Sequence, residues 1–544
     1  MSDGTADPVS DGTADPVSDG TADPVSDGTA DPVPTGQPDP APDEAAGPRA
    51  PSRVKPADPH PVPDEPPCRA PEPEGARRPT TPRKKRPTMT DASPIRAQLP
   101  GTPRSLVDAC QDELIVGLMD YVSQPAVSAT GEGFPAATDR ALEEVKRAGL
   151  TPTVLVGDGR PLVIGHRAGP AGAPHVLIYG HYDVQPTGPR ELWDSDPFAP
   201  VVRDGRIWGR GTGDNKGQHY AHLQALRLFD EHVGALPCSV TVVLDGEEEI
   251  GSPSLAGILR AHPERFDCDL VVWSDRSVHE SGEWCVSHGV RGMLRLGLRA
   301  TGAGRPLHSG NFGNVAPNPA WQLVQALASL KDAGGRVLVE GFEDGREPLS
   351  DTDRAAFTAL PLDLPQVLGE IGLTEMDPAF NGLSFYERLA DRPTLTINGI
   401  TTGDVDRTII PDTAEAGIDI RLTAGQDPQT VFERVAAHLR THAPEVTVTK
   451  KGGVPASRTP IDNPYTPRVA RAISRVSGRD PLLIPAYGGT LPDWIFTGIL
   501  GVPSIGLPLA NADQANHAPN ENLRVDCFLD ATAICMELLL ELGD

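Results

Sequence analysis

Apolar positions in this chain begin to recur only after about residue 94. Leu106, Val107, Leu114, Ile115, Leu118 and Met119 then follow helical spacing, and Pro103 and Pro125 bracket them, which predicts one amphipathic helix. A second helix is predicted over 137–148, with Gly149 as its stop. VLIYG (176–180), SVTVVLDG (239–246) and LVVWSD (270–275) are short β-branched and aliphatic runs ending in turn residues, the pattern of buried strands. A helical stretch at 216–229 separates the first two. Such alternation predicts an α/β fold with a mostly parallel sheet flanked by helices, whose functional groups gather at the carboxyl ends of strands.

From about Gly292 the pattern changes. MLRLGLRA and TAEAGIDIRL alternate apolar with polar residues and accompany helical stretches at 319–331 and 430–442, which predicts a smaller α+β domain. After it the first style returns, with a helix near 466–476, the strand-like IFTGILGVPSIGLPLA and a C-terminal helix over 526–542. The expected division is a tail at 1–93, an α/β domain in two parts at 94–291 and 453–544, and an inserted domain at 292–452.

Composition adds the character of the tail. SDGTADPV occurs four times in tandem from Ser2 to Val33, and Pro, Asp, Glu, Ala and Gly dominate to about Thr88. So few apolar side chains cannot offset the entropy of ordering a backbone, so a disordered tail is expected. The net charge of −27 argues against nucleic acid as a partner. The one basic run, Arg77 to Arg86, reads as solvated charge. No apolar stretch approaches the roughly 18 residues that span a bilayer, and the first thirty residues lack the pattern of a signal peptide. Seven cysteines without CxxC spacing suit a reducing compartment. The expectation is a cytoplasmic protein with no membrane partner.

The candidate chemistry lies in five clusters: YGHYDVQP, GRGTGDNKG, LDGEEEIGS, WSD and NHAPNEN. His181, Asp214, Glu249, Asp275 and His517 offer the oxygen and nitrogen donors that divalent ions take, and two ions roughly 3.5 to 4 Å apart need a bridging ligand. Asp214, set among glycines that let the backbone turn sharply, is the bridge candidate. Asp183 stands two residues after His181, on the same side of an extended segment, where it can accept the second imidazole N–H and fix the ring. Beside metals, one of the glutamates 247–249 would coordinate while its neighbour takes a proton from water. Read singly, each cluster is an ordinary turn, cap or charged loop. Their occurrence together changes the reading.

These motifs, with PFAPVVRDGRIWGRGTGDNKG, HSG and GGTLPD in order between 97 and the C-terminus, resemble the M20 metallopeptidase family, and YDVQP is closer to its dipeptidase branch. The resemblance implies a metallopeptidase catalytic domain with an inserted lid and dimerisation domain. It implies that His181 and Asp275 hold one ion, Glu249 and His517 the other, and that Asp214 bridges them. Zinc or manganese is implied first, and cobalt is compatible. Glu248 becomes the general base, Asp183 the orienting residue and Glu247 a bystander. His308, in RPLHSGNFGN, matches a lid histidine that reaches the partner's site in dimeric members. Arg421, with Gly488, Gly489 and Thr490, would receive a substrate carboxylate. Gly213 and Thr490 depart from the usual family residues.

The implied activity is hydrolysis of dipeptides or small peptides with a free C-terminal carboxylate. The runner-up is an N-acyl amino acid amidohydrolase with the same site. A binding protein on a retired hydrolase fold would have lost the base or a ligand, and a tail-recruited partner would need aromatic anchors that the repeat lacks.

Overall fold

The computed structural model describes residues 95–378 and 382–544. The tail expected over 1–93, with its repeats and basic run, lies outside the described residues.

Eight strands form the main sheet, in the order Thr151–Leu155, Leu162–Arg167, Ser239–Asp245, His175–His181, Leu270–Trp273, Ser504–Gly506, Cys285–Ser287 and Leu482–Ile484. Four of its seven pairings are parallel and three antiparallel. The parallel ones include both neighbours of His175–His181, so the centre of this mixed sheet has the α/β character that the buried apolar runs predicted. Alternate side chains leave the strands on opposite faces. Val176, Ile178, Val242 and Val272 pack with residues of helices Lys216–His232, Thr466–Ser477 and Val525–Gly543. Leu177, Tyr179, Val243, Val271 and Trp273 pack on the other side, beneath helix Leu255–Ala261. Val525–Gly543 is buried on nearly every side, and its buried Glu537 and Glu541 are paired with Arg96 and, for Glu541, with Arg471 and Arg475.

A second, antiparallel sheet runs Thr394–Thr402, Thr413–Leu422, Gly292–Thr301, Val446–Val454. Alternation along Gly292–Thr301 turns Leu294, Leu296, Leu298 and Ala300 inward. There they meet Leu323, Leu327, Val431 and Val435 of helices Pro319–Leu330 and Pro428–His442 in a core of their own.

Two local readings are corrected. The first predicted helix is two, Pro103–Ala109 and Gln111–Val122, because Cys110 at φ −121°, ψ 19° leaves the helical region between them. The strand-like IFTGILGVPSIGLPLA contains a π-helical turn, Ile495–Leu500, and Gly501 at φ 68° closes it before the short strand Ser504–Gly506. A brief apolar run has no period that separates buried strand from buried helix, and here Ile495 and Phe496 are used as helical side chains beneath the sheet. Among the described residues no helix is long and apolar enough to cross a membrane.

Candidate metal centre and active site

The carboxyl ends of three adjacent parallel strands deliver most of the site. His181 is the last residue of its strand, Asp275 follows Leu270–Trp273, and Glu248 and Glu249 follow Ser239–Asp245. Asp214 comes from the loop before helix Lys216–His232, and His517 from the loop between strands Ser504–Gly506 and Asn522–Arg524. A cavity of about 670 Å³ opens over them, lined by Asp214, Glu248, Glu249, Asp275 and His517. Met293, Arg421 and Val454 of the second sheet line it too.

Asp214 occupies the middle. Its Oδ1 is 3.2 Å from His181 Nε2 and its Oδ2 is 3.0 Å from His517 Nε2. On the first side Asp275 Oδ2 lies 3.6 Å from His181 Nε2, and on the second Glu249 Oε2 lies 3.2 Å from His517 Nε2. Asp183 is wholly buried, with Oδ1 3.3 Å from His181 Nδ1, while the Asp183 carbonyl lies 3.1 Å from the same nitrogen. The same carboxylate also accepts the backbone N–H groups of Glu248 (3.2 Å) and Glu249 (3.1 Å). One buried aspartate thus fixes both the imidazole and the turn bearing the two glutamates.

Those glutamates have different surroundings. Glu249 Oε2 accepts from Gln185 Nε2 at 2.9 Å, and its Oε1 is buried with no hydrogen-bond partner among the described residues. The Glu248 carboxylate lines the cavity, with Oε2 3.9 Å from His181 Nε2, beyond hydrogen-bonding distance. Glu247 points elsewhere, accepting from the backbone of Arg160 (2.8 Å) and Ser254 (3.2 Å).

Charge is unbalanced at this centre. Asp183, Asp214, Glu248, Glu249 and Asp275 share it with two imidazoles, and among the described residues no Lys or Arg forms an ion pair with them. Burial works against a charge on His181, yet Asp183, Asp214 and Asp275 outweigh it and hold the ring well above its ordinary value. Asp214 and Glu249 hold His517 up at about 10. Burial pushes the Glu248 carboxyl up, opposed by His181 and reinforced by Asp275, Glu249 and Asp214. The surrounding carboxylates thus favour positive charge at this centre, which divalent cations would also supply. Two groupings bring ligand atoms within 4.8 Å of one another: His181, Glu248 and Asp275, and His181, Asp214 and Glu249. The unsatisfied Glu249 Oε1 and the oxygen and nitrogen donor set both fit divalent cations.

Other predicted residues are placed variously. Arg421 donates from Nη1 to Thr490 Oγ1 at 3.0 Å, and Gly489 and Thr490 line the cavity. Gly488 lies behind them, where a Cβ would come 2.8 Å from Leu389. At Gly213 an added Cβ would stand 2.1 Å from Gln514 Oε1, so a larger residue would require that side chain to move. His308 is exposed on the two-residue strand Leu307–His308, outside the cavity lining, and its Nδ1 accepts from the Gly310 N–H at 3.1 Å.

Three contributors were missed. Buried Glu521 accepts through Oε1 from the backbone N–H groups of Gly211, Gly213 and Asp214 at 2.9–3.1 Å, and its Oε2 takes Arg210 Nη1 at 2.6 Å. It thereby holds the loop that carries Asp214. Asn215 Oδ1 accepts the His181 N–H at 3.2 Å. Arg276, directly after Asp275, lines the cavity. Its neighbour in sequence was the only signal for it.

Residues 177–541 match the sequence profile of Peptidase family M20/M25/M40. The Cysteinylglycine-S-conjugate dipeptidase of Corynebacterium striatum is 32% identical over 350 residues, 63% of this chain and 74% of that protein. The Beta-Ala-His dipeptidase of Rattus norvegicus is 29% identical over 398 residues, 70% of this chain and 80% of its own. Among solved structures, the M20 family metallo-carboxypeptidase Sso-CP2 from Sulfolobus solfataricus aligns with TM-score 0.73 at 29% identity, covering 79% of this chain and 99% of that one.

Proposed function

The chain belongs to peptidase family M20/M25/M40 and is a metallopeptidase, and on that premise we propose that it hydrolyses dipeptides or small peptides with a free C-terminal carboxylate. The observation that carries this is a single cavity lined both by Asp214, Glu248, Glu249, Asp275 and His517 and by Arg421. Two similar proteins bear dipeptidase names, which favours this reading over N-acyl amino acid hydrolysis.

His181 and Asp275 would hold one divalent ion, Glu249 and His517 a second, with Asp214 shared; zinc and manganese both suit these donors, as does cobalt. Ions held there supply a Lewis acid for the scissile carbonyl and acidify water. Glu248, its carboxylate in the cavity and engaged by no hydrogen bond among the described residues, takes the proton of the attacking water and returns it to the leaving amine. Asp183 keeps the His181 ring and the Glu248–Glu249 backbone in place. Arg421 receives the C-terminal carboxylate beside Gly489 and Thr490, with Gly488 setting the backbone behind them.

The inserted domain, 292–452, would act as lid and dimerisation domain between catalytic parts 94–291 and 453–544. Trp321 and Val324 on helix Pro319–Leu330 and Ile397 and Ile400 on edge strand Thr394–Thr402 are exposed large apolar residues, which supports a homodimer through that domain. His308, exposed and outside its own cavity, would then donate to the oxyanion in the partner's site. Among the described residues six cysteines stand as free thiols, which supports a cytoplasmic location.

Chelator-treated protein resupplied with Mn²⁺ or Zn²⁺ is expected to cleave unblocked dipeptides and to be inactive before resupply. Cleavage of N-acyl amino acids with no turnover across a broad dipeptide panel would establish the deacylase instead.

A further inference from the structure

Among the described residues Arg276, which lines the cavity, is a cation with no acidic partner. Among the described residues no hydrogen bond or ion pair engages its guanidinium, which lies over the Tyr487 ring, 4.2 Å from the centroid. The side chain is half-buried and lines the cavity. Its backbone stands at φ 96°, a region that costs a residue with a side chain energy and that persists where the surroundings impose it.

The guanidinium is aimed at the glycine turn. A Cβ on Gly489 would be 2.6 Å from Arg276 Nη1, so a residue other than glycine would displace it. On the next residue of that turn, Thr490 Oγ1 accepts from Arg421 Nη1. Two guanidinium groups therefore reach consecutive residues on one wall. The carboxylates of the metal centre are engaged with His181 and His517, and Arg421 has Asp419 Oδ1 3.3 Å from its Nε. Arg276 has no such partner.

We propose that Arg276 is a specificity-determining residue, selecting dipeptides whose C-terminal residue is aspartate or glutamate. The inference rests on the reading that Arg421 takes the terminal carboxylate. The α- and side-chain carboxylates of one acidic residue are separated by the Cα and one or two methylenes, which suits two guanidinium groups at adjacent positions of one turn. A planar fork with free N–H donors binds a carboxylate bidentately, and facing an amide of the same shape it loses that charge-assisted pairing.

The test compares kcat/KM of the metal-loaded full chain for Ala-Glu, Ala-Gln, Ala-Leu and Glu-Ala, with R276Q and R276K beside the wild type. Wild type is expected to favour Ala-Glu over Ala-Gln by about tenfold or more, chiefly through KM, the scale of one good charge-assisted contact. R276Q should bring that ratio toward one, and R276K should restore part of it. A wild-type ratio near one, a ratio unchanged in R276Q, or a preference for Glu-Ala over Ala-Glu overturns the assignment while leaving the dipeptidase reading intact. Absence of turnover on every dipeptide would instead sink that reading. Equilibrium binding of free L-glutamate against L-glutamine then decides Arg276 by itself: tighter glutamate binding that R276Q abolishes supports the assignment, and equal binding overturns it.

Discussion

Glu248 and Glu249 are adjacent carboxylates in different surroundings, and the roles proposed for them follow from that difference. Glu249 is drawn toward His517 and Gln185 and keeps one buried oxygen unsatisfied, the condition of a ligand. Glu248 faces the cavity with no hydrogen bond to its carboxylate among the described residues, the condition of a proton acceptor. Replacing Glu248 with Gln preserves shape and the Asp183-bound backbone but would remove the proposed base. E248Q is expected to lower kcat by about 10²–10⁴-fold, the usual worth of general base catalysis, with metal content near wild type. Kinetics paired with elemental analysis checks it. Retained activity would take Glu248 out of the base role, and lost metal would make it a ligand, as its grouping with His181 and Asp275 also allows.

The loop between strand Arg206–Trp208 and helix Lys216–His232 carries Asp214, and its shape is imposed from far along the chain. Glu521 gathers three of its backbone N–H groups and the buried Arg210. E521Q keeps an acceptor oxygen but turns an amide N–H₂ toward either Arg210 or the loop. Metal affinity is expected to weaken about 10–100-fold, as for other residues that orient ligands, with a lowered thermal midpoint. Titration with metal and a melting curve test this, and unchanged affinity would show that the loop holds itself. The contrast with the first-found residues explains what could be read in sequence. His181, Glu248, Glu249 and Asp275 stand where apolar strand runs stop, and a strand end is a local pattern. Glu521 stands within NHAPNEN, but nothing local tells what it does, because its partners lie some three hundred positions away. The role proposed for Arg276 rests on its having no acidic partner among the described residues and on its place in the cavity lining, which only three-dimensional packing reveals. Likewise, the π-helical turn Ile495–Leu500 was misread because burial, rather than period, determined which residues were apolar.

For the whole molecule the open question is whether one chain makes a complete site. His308 lies on the pair Leu307–His308 and Ile409–Ile410, exposed and away from its own cavity, while exposed Trp321, Val324, Ile397 and Ile400 belong to the same inserted domain. If that surface joins two chains, each cavity receives the partner's imidazole, and the proposed roles of Glu248 and His308 belong to different chains. H308A and E248Q should then each be nearly inactive alone, yet regain activity when mixed under conditions that allow exchange. In a mixed dimer, one cavity pairs an intact Glu248 with an intact His308 and the other has neither. Random pairing makes half the dimers mixed, so activity should rise to about a quarter of wild type, as expected for a two-fold assembly. Sedimentation of each variant should still show dimers. No recovery on mixing, with exchange demonstrated by differently labelled chains, would place His308 outside the partner's site, whereas a monomeric wild type would remove the shared-site arrangement altogether.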